Sequence, residues 1–172
     1  IGESATRIIE GEPLTHPHLT EILKLLRASF PHTPVSLTTN GILLEQALVE
    51  LLSRLGNITV NLSLNCIGAA ARCRLLGDLD ARRAVSSVKL LEASGIPFNG
   101  SIVAMPHITG WDELEQTVLY LAEHGAETIR IFEPGFSRLA PPELQFSQSL
   151  RAELISYIEK WRERTNTPIT CE

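Results

Sequence analysis

Cysteine is scarce in this chain of 172 residues, which carries only 3: Cys66, Cys73 and Cys171. Their odd number and wide spacing exclude a disulfide framework and match neither a zinc nor an iron–sulfur ligand pattern. Each reads as a small, mostly buried apolar residue. Positive charge is also in deficit, with 15 Lys and Arg against 20 Asp and Glu. No basic block or aromatic-interleaved basic stripe is present, so no nucleic-acid partner is expected, and small neutral or cationic ligands fit better. No apolar run approaches the roughly 20 residues that cross a bilayer, and the first residues lack a basic-then-apolar leader pattern, which predicts no membrane partner and a cytoplasmic setting. Neither a G-x-S-x-G elbow, a P-loop nor a G-x-G-x-x-G fingerprint occurs, which removes the usual hydrolase and nucleotide-fold readings. Barrel aldolases need a strand-borne lysine for a Schiff base, and Lys24, Lys89 and Lys160 all fall in helical patterns.

What is present is a steady alternation of short β-branched runs and longer helical patterns, carried by a composition that is 44% hydrophobic. The length fits one domain over 1–172, with an extension after 140, in the Pro141-Pro142 stretch, as one possible reading of that end. Strands are predicted over 6–10, 35–39, 58–64, 98–104 and 128–132, with a weaker one near Ile169. Helices are predicted over 17–30, 43–55, 81–94, 111–124 and 147–164, where Leu19, Ile22, Leu23 and Leu26 share a face, as do Ala84, Val85, Val88 and Leu91. Gly56, Gly95 and Gly125 each follow a helix, where a left-handed cap is favoured. This is βαβ organisation, an α/β fold with a parallel sheet, either doubly wound or part of a barrel.

The strands distinguish their two sides. Ile58, Val60, Leu62 and Leu64 alternate with Thr59, Asn61, Ser63 and Asn65, and the same split recurs in Val35 and Leu37 against Ser36 and Thr38. A parallel sheet covered on both faces reads as continuous apolar runs, and a closed eight-stranded barrel fills its interior with branched apolar layers. A polar face instead predicts an open, splayed barrel with a ligand inside, or a sheet with one wet side.

Polar clusters stand where strands end, which is where ligands bind in parallel α/β folds. The first is Gly11-Glu12-Pro13, whose glycine allows close approach of a ligand and whose carboxylate can accept from a cationic amine. The second is Thr38-Thr39-Asn40-Gly41, and the third is Ser63-Leu64-Asn65. With Arg74-Leu75-Leu76-Gly77, Ser94-Gly95-Ile96-Pro97 and Glu133-Pro134-Gly135 following in order, the chain resembles the radical S-adenosylmethionine (SAM) superfamily. That family carries a Gly-Gly-Glu-Pro, a Thr-Asn-Gly and a Ser-Leu-Asp turn in this sequence.

The resemblance implies a partial (βα)6 TIM-like barrel lacking its first βα unit. It implies an enzyme that binds SAM, in which a [4Fe-4S] cluster cleaves SAM reductively to a 5′-deoxyadenosyl radical. It further implies a small-molecule or peptide substrate and an electron donor. By the same resemblance Gly11, Glu12 and Pro13 receive the methionyl amine, Thr39 and Asn40 line the cofactor site, Ser63 and Asn65 lie near the ribose or carboxylate, and Arg74 reaches the carboxylate. Glu10 replaces the family's first glycine and Asn65 its aspartate.

No C-x-x-x-C-x-x-C motif occurs, so the cluster ligands are expected upstream of this chain, which by itself would be inactive and marginally stable, with an open sheet edge along 6–10. The alternative is a cluster-free binding or scaffold domain of the same fold. His16 and His18 flank Pro17 with no third ligand in register, and His32, His107 and His124 read as surface residues. Arg130 and Glu133 fit either substrate contact or salt bridges. Asp112 and Glu113 open a helix, where acids complement the macrodipole.

Overall fold

The computed structural model describes residues 1–2, 11–135 and 145–172. The strand expected over 6–10, the edge expected beside it and the Pro141-Pro142 stretch lie outside the described residues. After a 3-10 turn at Pro13–Thr15, the described chain runs α1 (Leu19–Ser29), β1 (Val35–Thr39), α2 (Gln46–Leu55), β2 (Ile58–Ser63), α3 (Ala69–Leu76), α4 (Ala81–Ala93), β3 (Phe98–Val103), α5 (Pro106–Thr109), α6 (Trp111–Glu123), β4 (Thr128–Phe132), α7 (Gln148–Arg164) and β5 (Ile169–Cys171). The strands lie in the order β1-β2-β3-β4-β5 in one open sheet, with β1 parallel to β2 and β4 parallel to β5. A doubly wound sheet reverses its strand order at a switch point. No reversal occurs among the described strands, and the barrel alternative is the one this order matches.

The chain divides into two compact units, Ile1–Leu64 with Arg82–Asn99, and Asn65–Ala81 with Gly100–Glu172. In the first, Leu37, Val60 and Leu62 of the strands are fully buried, as are Val49 of α2 and Ala84, Val88 and Leu91 of α4. The α4 spacing is that of one helical face, and each buried aliphatic contributes about 1.5–3 kcal/mol relative to exposure. On α1 the buried residues are Leu19 and Leu23, whereas Ile22, expected on the same face, is 37% exposed. Arg27 closes this unit's loops: one guanidinium nitrogen donates to the carbonyls of Phe30, Pro31 and Thr33, the other to those of Gly56 and Asn57.

In the second unit Ile102, Leu121, Ile129, Ile131, Leu154 and Trp161 form the core, and Trp111 stacks on Tyr157 with ring centroids 4.4 Å apart. Gly56, Gly95 and Gly125 follow their helices with positive φ, but Gly56, with ψ at 168°, lies outside the left-handed helical region expected of a cap.

Two differences from the sequence reading have physical causes. Helix α3 was not expected, because an eight-residue Ala-rich segment carries almost no apolar stripe. Strand β2 stops at Ser63 because Asn65 adopts a left-handed φ of 62°, which the extended ladder does not accommodate.

Candidate functional site

Side-chain alternation along β1 to β3 gives the first unit a polar sheet face. Asn61 donates to Ser36 Oγ at 2.8 Å and to Thr38 Oγ1 at 3.4 Å, and its carbonyl accepts from Asn99 at 3.0 Å. These amides and hydroxyls satisfy one another without any formal charge, so the face suits polar, uncharged groups.

At the carboxyl end of β1 two of the motifs meet. Glu12 is the N-cap of the 3-10 turn, and its Oε1 accepts from Leu14 N at 3.2 Å and from Thr39 Oγ1 at 2.6 Å. Its Oε2 accepts from Asn40 N at 2.8 Å. Pro13 occupies the first position of the turn, where its fixed φ suits the geometry and its missing N–H costs nothing. Asn40 folds its side chain back to accept from Ile42 N at 2.9 Å, and Thr39 Oγ1 accepts from Gly41 N at 3.1 Å. Only glycine fits at position 41. Its φ is +78°, and a Cβ would stand 2.5 Å from Ser87 Oγ and 2.7 Å from Leu62 Cδ1. Gly11 differs: it is exposed, and among the described residues a Cβ there meets nothing within 4 Å. Ser63 is half-buried at the last position of β2.

The remaining expected residues, Asn65 and Arg74, belong to the second unit. Asn65 Oδ1 accepts from Val103 N at 2.8 Å, which ties the turn after β2 to the end of β3. An amide and a carboxylate serve that acceptor role equally, so asparagine in place of the family's aspartate preserves the turn while removing its charge. Arg74 is exposed on α3 and donates to Ile108 O at 2.9 Å.

The arginine built into the interior is Arg72, 1% exposed, which donates to Asp78 Oδ2 at 2.6 Å and to Cys66 O at 2.9 Å. Burial raises the Asp78 carboxyl, but the Arg72 hydrogen bond, the Asp80 N–H and the Arg72 charge together hold it below its ordinary value. From the other side Glu113 Oε1 accepts from Ile67 N at 2.9 Å and Gly68 N at 2.7 Å. A Cβ at Gly68 would collide with that carboxylate. The turn 65–68 is therefore gripped by Asn65, Arg72 and Glu113. Glu113 lies in the first turn of α6, as expected for an acid on the helix dipole, and the structure adds a second role, acceptor for the two N–H groups just before α3. An Arg-x-Arg pair followed by aspartate was the only signal for Arg72.

Other expectations resolve plainly. Cys66 is buried, and burial pushes its thiol up to about 11. Cys73 and Cys171 are exposed, against the expectation that all three would be buried, because they stand on the outer side of α3 and on the terminal strand. Among the described residues no group of three or more His, Cys, Asp or Glu is arranged to hold a metal. His16 Nδ1 accepts from His18 N at 3.1 Å, a local turn bond. Arg130 pairs with Glu172 at 3.0 Å and Glu133 with Arg151; both charges go to salt bridges.

Residues 2–121 match the sequence profile of the Radical SAM superfamily. The chain belongs to that superfamily. It is 29% identical over 134 residues to the GTP 3′,8-cyclase of Mycolicibacterium smegmatis, covering 77% of this chain and 36% of that protein. To the PqqA peptide cyclase of Gluconobacter oxydans it is 28% identical over 151 residues, covering 83% of this chain and 41% of the relative. Among solved structures, Streptococcus suis SuiB superposes with a TM-score of 0.78 at 17% identity, covering 94% of this chain and 37% of SuiB, which has also been solved bound to SAM. That likeness establishes a shared fold. The chain spans well under half the length of each of these three proteins.

For SAM, the donor set fits one end of the molecule: a carboxylate held in place beside an open glycine suits an ammonium group. For a [4Fe-4S] cluster the described residues do not fit, since the three cysteines lie on separate elements and one is buried with a raised pKa.

Proposed function

We propose that this chain forms the SAM-binding part of a radical SAM enzyme. The observation that supports the reading is the Glu12 carboxylate. Among the described residues three protein donors orient it, Oε2 receives one of them, and a side chain at the neighbouring Gly11 would meet nothing within 4 Å. A methionyl ammonium donating to Oε2 would complete that oxygen's hydrogen bonding. Gly11 and Pro13 would border the amine, with Thr39 and Asn40 holding the carboxylate that receives it. Ser63 and Asn65 are assigned to the ribose or carboxylate end. Asn65 uses its carbonyl to accept from Val103, and its side-chain N–H₂ is the donor assigned to that end of the ligand. Arg74 is assigned to the SAM carboxylate; its Nη1 donates to the Ile108 carbonyl, and the guanidinium carries further N–H groups for that role.

When a reduced [4Fe-4S] cluster is present, its chemistry is electron transfer to SAM, giving methionine and a 5′-deoxyadenosyl radical. Its ligands are assigned to sequence outside these residues, because the cysteines present are dispersed. The partners are then an electron donor and a substrate, either a small molecule or a peptide. The peptide option draws on a relative named for PqqA and on SuiB, which has been solved with its precursor peptide SuiA. No helix among the described residues is long and apolar enough to cross a membrane, and a cytoplasmic location is part of the proposal.

The test is anaerobic iron–sulfur reconstitution of the full-length protein, with iron counting and assay of SAM cleavage under reductant. About four irons per chain and release of 5′-deoxyadenosine are expected. SAM binding without a cluster would favour the cluster-free binding domain, and neither cluster nor binding would refute the proposal.

A further inference from the structure

We propose that Thr39 is a positioning residue for the SAM ammonium group, acting through Glu12 and touching no part of the ligand itself. The inference rests on the reading of Glu12 given above.

Thr39 has the parity of Leu37 on β1 and is only 2% exposed, so its side chain lies on the buried side of the strand, away from Ser36 and Thr38. Nothing bound on the polar face can reach its hydroxyl directly. A threonine hydroxyl has one proton and two lone pairs. The Gly41 N–H occupies a lone pair at 3.1 Å, which turns the proton toward Glu12 Oε1, 2.6 Å away. That separation lies in the range of a charge-assisted O–H···O⁻ bond.

Oε1 also accepts from Leu14 N, so its two in-plane lone pairs are both engaged, while among the described residues Oε2 accepts from Asn40 N alone. The arrangement therefore reserves one defined acceptor direction, on Oε2, for a cationic donor. The turn that sets it is rigid, because Gly41 packs against Ser87 and Leu62 with no room for a side chain. Ser87 is fully buried, and its own hydroxyl is bonded to Ala84 O at 2.6 Å.

Thr39→Val keeps the side chain's shape and removes only the proton and lone pairs. Calorimetric titration of the full-length protein should compare SAM with the analogue in which hydrogen replaces the α-amino group. The wild type is expected to prefer SAM by at least about tenfold, and Glu12→Gln to erase most of that preference. Thr39→Val should reduce the preference by roughly tenfold, the scale of one hydrogen bond to a charged group. Thr39→Ser should retain it. If Thr39→Val folds poorly, Thr39→Ala provides the same comparison.

A merely structural role would weaken both ligands in equal proportion. Equal weakening by Thr39→Val, with the preference intact while Glu12→Gln abolishes it, overturns this proposal and leaves the assignment of Glu12 standing. A preference that survives Glu12→Gln overturns both.

Discussion

Replacing Arg72 by methionine should be among the most damaging single changes in the second unit, and the structure indicates by how much. The guanidinium is 1% exposed, and the carboxylate it faces, Asp78, is 9% exposed. Removing one partner of a buried ion pair leaves the other charge desolvated and unpaired, at a cost of about 3–5 kcal/mol. Asp78 retains slight solvent contact and the Asp80 N–H, which places the estimate near the lower end, about 3 kcal/mol. For a chain of this size each kcal/mol moves the melting temperature by about 2–4 °C, so Arg72→Met should lower it by about 6–12 °C. Differential scanning calorimetry of Arg72→Met, Asp78→Asn and the double variant forms a complete cycle. The double variant should be markedly less damaged than the sum of the singles, because it leaves no orphan charge.

The pH dependence carries a sign. Asp78 has a lower pKa folded than unfolded, so its stabilisation is complete above the unfolded value of about 4 and disappears as pH falls through the folded value. Arg72→Met should abolish that acid-sensitive component. Single variants that melt within about 2 °C of wild type, or singles that simply add, would refute the reasoning.

Gly41→Ala should destabilise the first unit by about 2 kcal/mol or more through both its positive φ and the Ser87 contact, whereas Gly11→Ala should leave the melting temperature unchanged and weaken only SAM binding. Thermal melts alongside SAM titration separate these. Glu113→Gln should cost about 1–2 kcal/mol by weakening the cap on Ile67 and Gly68. The exposed pair of Arg164 with Glu115 provides the control, since Glu115→Gln should cost no more than about 0.5 kcal/mol in the same melt. A thiol-reactive dye at pH 8 should label Cys73 and Cys171 in the native protein and spare Cys66 until denaturant is added, because Cys66 is buried with its thiol raised to about 11. Rapid native labelling of Cys66, read by peptide mass mapping, would contradict its placement.

Much of the architecture was legible because it depends on local periodicity. A period of two along 58–63 and of about 3.6 along 81–93 states which side of each element is apolar, and the observed burial follows both. The helix-ending glycines were legible for the same reason, since a positive φ is a property of one residue and its neighbours. The ordered strand-end turns pointed to the superfamily, as the profile over 2–121 establishes. Helix α3 was missed where alanine carries no pattern, and Ile22 was misplaced because a face assignment cannot tell how far an apolar stripe is covered.

Taken alone, the sequence determined the principal strands and longer helices, the alternating polar face and the family, all of which follow from residues near one another along the chain. Tertiary structure decided who holds whom. Glu12 meets Thr39 and Asn40 from 27 and 28 residues away, and Glu113 caps Ile67 and Gly68 from 46 and 45 residues away. It also decided that Arg72, not Arg74, is the buried guanidinium. Hydrogen bonds of that reach depend on where the fold brings separate strand ends and helix ends together, and a carboxylate in the sequence looks the same whether it will face water, a backbone N–H or a ligand.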